Sequence, residues 1–398
     1  MNQLVSLQDT AGARLRIEIR EYMKRLREKA REEGESHAAE RTFQSVVFTD
    51  RRIGHLDGRC VERLVLFLRG TGCSWVSQVG GCTFCGFWDA TNFGRKISNA
   101  EYIQQVENAL GSLGAEIERF PIVCLYNDGS LLVESEIGLA AVCTILNRFA
   151  LYPHIRRVVI ESKVVDIKQA VLAKLKNSIG SFDLEIAVGF ESANPTIRDL
   201  CVNKNFGDDV FHAKAAMLRE HDIRLVPLMM IKPPFITEGQ AIHDALETLR
   251  YLDQFSFPHI DLEMATVERH TLVADLWRNG LYQPPRLWSI IEILRRSRVL
   301  GIRTPVFISP PNYTVPSLDF TSNCPSCTQA VVDAIRAYNQ AFDVSVFELL
   351  DCGCRGAWSS SLGEVGACPD LEGQVRTIFS RLIELQRGRT AAADGMVR

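Results

Sequence analysis

Residues 63–88 read RLVLFLRGTGCSWVSQVGGCTFCGFW. The run Leu64–Leu68 is apolar without interruption, the pattern of a strand buried on both faces. A glycine-rich loop follows it, carrying Cys73, Cys82 and Cys85 in the spacing C-x8-C-x2-C. Gly80, Gly81 and Gly86 let the backbone wrap closely around whatever the thiols hold. A cubane iron–sulfur cluster has four irons, so three protein thiolates leave one iron open to a substrate or cosubstrate. A zinc site lacking a visible fourth ligand, or three buried thiols, remain open on spacing alone.

Outward from this loop, short apolar strands alternate with helical stretches. Strands are expected at 61–69, 121–126, 156–161, 183–190, 223–231 and 258–264. Helices are expected near 99–113, 133–149, 165–177, 207–220, 238–254 and 284–299. Six strand–helix units imply a parallel α/β sheet with right-handed crossovers. Six is fewer than the eight of a closed barrel, so the expected fold is a partial (β/α)6 barrel with an open side. The cysteine loop then sits at a strand's C-terminal end, where βα barrels place their chemistry. Three regions are expected: an N-terminal helical segment over 1–50, the partial barrel over 51–303, and a Cys-rich extension over 304–398 ending in a helix near 370–387.

The 398 residues carry a net charge of −3 and are 46% hydrophobic. Near-neutral charge gives no global pull toward nucleic acid. No basic stretch followed by an apolar run opens the chain, and no membrane span is expected. Twelve cysteines without such a leader suggest a reducing cytoplasmic setting, where clustered thiols serve metals or catalysis. Residues 14–41 alternate in charge around a stripe of Leu15, Ile17, Ile19, Tyr22, Met23 and Leu26. This predicts an amphipathic helix whose basic residues, among them Arg20, Arg25 and Arg27, form a solvated, salt-bridged face.

The loop resembles that of the radical SAM superfamily. Phe84 stands where that family usually has an aromatic residue before its third cysteine. The long first spacing is closer to the branch containing the Elongator catalytic subunit and the radical SAM subunit of archaeosine synthase. Further strings carry the second likeness: VGFESANPTIRDLCVNKNF from 188, LMMIKPPFITEGQAIHDA from 228, TLVADLWRNGLYQPPRLWSIIEIL from 271 and NCPSCTQAVVDAIRAYNQ from 323. The resemblance implies a 4Fe-4S cluster on Cys73, Cys82 and Cys85 and a bound S-adenosylmethionine. One electron from a flavodoxin- or ferredoxin-like donor would cleave the C5′–S bond, and the 5′-deoxyadenosyl radical would abstract a substrate hydrogen. The archaeosine-type member breaks a C–N bond in a lysine-modified deazaguanine of transfer RNA. It therefore needs tRNA and a partner that attaches lysine.

Cosubstrate contacts are expected at the strand ends. Asn127-Asp128-Gly129-Ser130 replaces the family's Gly-Gly-Glu-like turn, with Asp128 able to accept from an ammonium. Glu161 and Lys163 end the third strand, Glu191 and Ser192 the fourth, and Lys232 the fifth. The carboxylates suit ribose hydroxyls, and Lys163 or Lys232 a carboxylate. Arg198 reads as a helix-face residue, His270 as a helix start, and Tyr282 as buried packing. Glu263, on the sixth strand, lies where the archaeosine-type proteins bind substrate.

Cys324, Cys327, Cys352 and Cys354 form C-x2-C…C-x-C. Four thiolates suit a closed tetrahedral zinc or an auxiliary iron–sulfur cluster. Cys60, Cys124, Cys143, Cys201 and Cys368 read as core thiols. Two other functions compete: a radical SAM enzyme acting on a small molecule such as an amino acid or nucleoside, and a non-catalytic, metal-stabilised binding module.

Overall fold

The computed structural model describes residues 11–35, 43–204, 206–311, 316–363 and 365–396. Its centre is an eight-stranded sheet. The strands are β1 Phe48–Leu56, β2 Arg59–Phe67, β3 Ile122–Tyr126, β4 Arg157–Ser162, β5 Asp183–Glu191, β6 Arg224–Ile231 and β7 Ile260–Met264. A two-residue strand, β8 (Val267–Glu268), lies outside it, and β9 (Val306–Ile308) completes it. The order is β1-β2-β3-β4-β5-β6-β7-β9, parallel from β2 onward. β10, Ser317–Asp319, pairs antiparallel with β8.

The sheet exceeds the six expected strands by one at each edge. β1 pairs antiparallel with β2 through a two-residue turn, Asp57-Gly58, both with positive φ. That is the twist-compatible hairpin turn, and Asp-Gly is its usual sequence. β9 lies beyond residue 303 and still joins the main sheet.

The helices are α1 Ala11–Glu35, α2 Ser74–Val79, α3 Asn99–Leu113, α4 Leu139–Phe149, α5 Gln169–Lys176, α6 Asp208–Glu220 and α7 Glu238–Leu252. They continue with α8 Leu272–Arg278, α9 Leu287–Val299, α10 Thr328–Ala341, α11 Cys354–Ser361 and α12 Leu371–Met396. None is long and apolar enough to cross a membrane. Side chains alternate along each strand. Leu64, Leu66, Val123, Leu125, Val158 and Ile160 face outward into one large core with the surrounding helices. Val65, Phe67, Cys124, Val159 and Ala187 face inward and make a smaller apolar layer inside the curl. The sheet curls into a half-barrel. Phe48 and Asp50 of one edge and Phe307 and Ser309 of the other line one cavity of about 730 Å³, so the two edges face each other across a gap.

α1 and α12 pack together on the cysteine side. The Tyr22 ring meets Phe379 edge-on at 5.7 Å, and its hydroxyl donates to Asp275 at 2.6 Å. The basic face of α1 is solvated as expected at Lys24, Arg25, Lys29 and Arg31, with Lys29 paired to Glu33 at 3.8 Å, but not at Arg20 and Arg27. Arg27 is 4% exposed, and Arg20 donates to Asn203 at 2.9 Å and lies over the Trp75 ring. The N-terminal helix is thus held against the loop by its own cations.

Candidate active site and metal centre

The cysteine loop leaves β2 and runs through α2, whose N-cap is Cys73. Gly80 ends α2 with φ +84°, and a Cβ there would meet Met23 Cβ at 2.6 Å and Lys24 N at 2.9 Å. A side chain at 80 would therefore push α1 off the loop, which gives this glycine two reasons to be one. Thr83 bonds the carbonyl of Cys201 through its hydroxyl at 2.5 Å and that of Val202 through its N–H at 3.1 Å. Asn203 donates to the carbonyls of Gly81 and Val79, while Trp75 donates to the Asn203 carbonyl. The loop is stitched to the segment after β5 as well as to α1.

Arg27 supplies the tightest fastening. Its Nε donates to Gly80 O at 3.0 Å, its Nη1 to His270 O at 3.0 Å, and its Nη2 to Cys82 O at 3.1 Å and Cys85 O at 2.7 Å. Among the described residues no carboxylate forms an ion pair with it. A buried guanidinium without an acidic partner is costly unless something nearby carries negative charge.

Cys73, Cys82 and Cys85 line one cavity of about 180 Å³ together with Phe84, Asp128 and Glu161. Gly129, Lys163 and Glu191 share its wall, as does Lys204. Burial pushes the Cys73 thiol up to about 12 and raises Cys82 and Cys85 too. Buried bare thiols stay protonated; they ionise only when a metal takes the sulfur.

The strand ends around the cavity are bent. Asp128 after β3, Glu191 ending β5 and Lys232 after β6 all have positive φ, at 67°, 67° and 56°. Such strain in non-glycine residues concentrates at functional sites. Asp128 is buried, and neither carboxylate oxygen has a hydrogen-bond partner among the described residues. Burial, then the Glu161 charge, holds its carboxyl well above the usual range. Glu161 accepts from the N–H groups of Asn127 at 2.5 Å and Gly129 at 3.4 Å, yet burial raises it to about 7. Asp128, unpartnered beside a second buried carboxyl, suits a cationic or hydrogen-donating ligand.

The other expected contacts are already engaged within the protein. Lys163 bonds Glu136 at 2.5 Å and Asp166 at 3.0 Å. Lys232 pairs with Glu238 at 2.6 Å, outside the cavity wall. The Ser192 hydroxyl donates to Asp244 at 2.6 Å, and Ser130 meets Ser162 at 3.1 Å. The Asn127 side chain is buried with both polar atoms unpartnered. Glu191 accepts from Lys204 at 2.5 Å.

Three sequence expectations are corrected. Arg198 is 2% exposed, donates to Ser192 O at 2.9 Å, and lies over the Phe190 and Phe206 rings; it is no helix-face residue. Cys60 is exposed, because the hairpin turn lifts it out of the core. Cys143 and Cys368 are only partly buried. His270 stands one residue before the α8 N-cap, Thr271, and bonds Asp89 at 2.7 Å and Glu33 at 2.9 Å. Tyr282 is buried as expected.

Sequence reasoning missed Glu136 and Glu268. Glu136 accepts from the N–H groups of Ser74 and Ser130 as well as from Lys163, linking the loop to the strand-three turn. Glu268 accepts from Gly86 N beside Cys85, and burial raises it to about 7. Neither lies in a recognisable local motif, so no sequence signal marked them.

In the C-terminal extension, Cys324, Cys327, Cys352 and Cys354 place their sulfurs within 4.8 Å of one another. Cys324–Cys327, Cys324–Cys352 and Cys327–Cys354 are 3.6, 3.5 and 3.5 Å apart. The Trp288 indole donates to Cys354 Sγ at 3.2 Å, tying the group to α9.

No family model matches the chain. Archaeosine synthase subunit beta of Methanosarcina acetivorans is 29% identical over 314 residues, which are 77% of this chain and 87% of that protein. The alignment spans most of both chains, and the loop after β2 presents three cysteines to one cavity. Among solved structures, this chain is similar to the archaeal Elp3 of Methanocaldococcus infernus at 12% identity and TM-score 0.45, covering 60% of this chain and 59% of that one. It is also similar to the radical S-adenosylmethionine methyltransferase TsrM of Kitasatospora setae at 12% identity and TM-score 0.36, covering 52% and 35%.

Proposed function

We propose that this chain is a radical SAM enzyme that breaks a C–N bond in a lysine-modified deazaguanine of transfer RNA, as the radical component of an archaeosine synthase. The observation that carries this is the convergence of three thiols, the unpartnered carboxyl of Asp128 and the raised carboxyl of Glu161 on one cavity. The donor set fits a cluster with one open iron: three sulfurs, no fourth thiol in the wall, and a cation supplied by Arg27 behind the loop. Bound there, a 4Fe-4S cluster supplies the electron that cleaves S-adenosylmethionine to a 5′-deoxyadenosyl radical.

The chain's own residues do the rest. Cys73, Cys82 and Cys85 hold the cluster, and Arg27 fixes the carbonyls of two of these cysteines. Asp128 and Glu161 accept from the cosubstrate's ammonium and hydroxyl groups, and Glu191, held by Lys204, faces the same space. Phe84 adds an apolar wall to the same cavity and would help to keep water from a bound cluster. Lys163 keeps Ser74 and Glu136 in place rather than meeting a carboxylate. A partner subunit attaches lysine, and a flavodoxin- or ferredoxin-like protein in the cytoplasm delivers the electron.

The four C-terminal thiolates hold zinc in this proposal. With Zn–S at about 2.3 Å, a tetrahedron has sulfur–sulfur edges of about 3.8 Å. The edges of 3.5–3.6 Å are close to that. In a 4Fe-4S cluster each thiolate binds a different iron, which spreads the sulfurs further apart.

The test is anaerobic. Reconstituted protein with dithionite and S-adenosylmethionine should release 5′-deoxyadenosine. With tRNA already carrying the lysine adduct, mass analysis of its nucleosides should show the formamidine product. Release of 5′-deoxyadenosine without any change in that tRNA would overturn the substrate and leave the radical chemistry standing.

A further inference from the structure

The inner face of the half-barrel holds a buried cation that nothing in the proposed chemistry uses. Arg63 on β2 is 7% exposed. Its guanidinium makes no hydrogen bond or ion pair among the described residues, and its Nε is wholly enclosed. It lies over the Phe307 ring at 4.8 Å. In the β1–β2 register its cross-strand neighbour is Arg52, and like charges facing each other across a pair weaken it. β1 makes room for it with a glycine: a Cβ on Gly54 would stand 3.2 Å from Arg63 Cδ and 3.1 Å from Ile122 Cδ1.

A cavity of about 560 Å³ opens beside it. Its mouth lies among Asp57 and Gly58 of the hairpin turn and Pro258 and Pro305, which precede β7 and β9. That is the end of the sheet away from the cysteine loop, so the site stands independently of the function proposed above. The wall is mixed. Arg157 and Arg224 also face the cavity, but both are committed: Arg157 to Glu185 at 3.0 Å and the His55 carbonyl, Arg224 to Asp183 at 2.8 Å. Ile122, Val159 and Phe307 supply apolar surface. Two acids act on Arg63 through space without bonding it: Glu263, and Asp261, which pairs with His259 at 3.3 Å.

We propose that this cavity binds an organic carboxylate, with Arg63 receiving its two oxygens and the Phe307 side taking its apolar stem. The Asp261 and Glu263 charges offset the burial of the cation, but its N–H donors bond nothing and keep their own desolvation cost. A ligand carboxylate would satisfy them with paired N–H···O bonds, the geometry the planar fork suits. A phosphate dianion fits less well, since Glu185 and Asp57 stand in the same wall.

Three probes differing in charge test this by calorimetry on the full-length protein: hexanoate, hexylamine and inorganic phosphate. Hexanoate should bind, and Arg63→Met should weaken it by about tenfold or more, the loss expected for hydrogen bonds to a charged group. Arg63→Lys should retain part of the affinity. Hexylamine binding as well as hexanoate, phosphate binding in place of hexanoate, no binding of hexanoate, or undiminished hexanoate binding by Arg63→Met would each overturn the proposal.

Discussion

Arg27 Nη2 stands 2.7 Å from the carbonyl oxygen of Cys85, so the N-terminal helix reaches the cysteine loop through its backbone. The same side chain holds the carbonyls of Gly80, Cys82 and His270. Replacing it with methionine strands four acceptors in a buried place. At 1–3 kcal/mol for each unsatisfied group, with partial rehydration, the loss is on the order of 3 kcal/mol. Arg27→Met should melt earlier and lose iron faster to a chelator, and Arg27→Lys, which keeps the charge but not the fork, should fall between. Unchanged iron retention in Arg27→Met would contradict the role.

The two cysteine groups should separate under mutation. Cys82→Ala should abolish the brown cluster absorbance and 5′-deoxyadenosine release while leaving bound zinc intact. Cys324→Ala should do the opposite first: lose zinc by elemental analysis and lower the melting temperature, since a closed four-thiolate site contributes its binding energy to folding. Full iron in Cys82→Ala, or iron lost selectively in Cys324→Ala, would reverse the assignment.

The pH dependence of metal-free stability has a definite sign at Glu161. Burial raises its carboxyl from 4.5 to about 7 in the folded protein. Between those values the unfolded chain releases a proton that the folded one keeps, so stability falls as pH rises from 4.5 toward 7. Glu161→Gln removes that slope. Denaturant midpoints at pH steps across the window measure it; identical slopes in the two proteins would refute it.

His270 works through a charge of the other sign. Its imidazole is raised above 6.5, chiefly by the hydrogen bond to Asp89, with Glu33 of α1 on its other nitrogen. A raised histidine stabilises below its unfolded value and loses that contribution as pH climbs through the folded one. Hydrogen exchange in the last turns of α1 should therefore quicken above neutral pH beyond the intrinsic base-catalysed trend, and His270→Gln should remove the excess.

The sequence declared what is local. Leu64–Leu68, the glycines and the cysteine spacing sit in one stretch, so a strand feeding a ligand loop could be read directly. The interior parallel strands were equally plain, because a strand buried on both faces shows as an apolar run. Both edge strands escaped. β1, FTDRRIGHL, has one face near solvent and reads as polar, although Asp57-Gly58 marked its turn. β9 is three residues long. The fastening of the site was illegible for another reason. Arg27, Glu136 and Glu268 meet the loop only through the tertiary fold, and Arg27 lies 58 residues from Cys85. In a string of alternating charges a buried arginine looks like its solvated neighbours. Arg198 was misjudged in the same way.

Tyr22 of α1 contacts Phe379 and Gln386 of α12, the latter 364 residues away in sequence. The helix whose Arg27 braces the thiol loop is thus itself braced by a remote helix that contributes nothing to the cavity wall. Damage to α12 would reach the metal-binding loop indirectly, by freeing the support behind it.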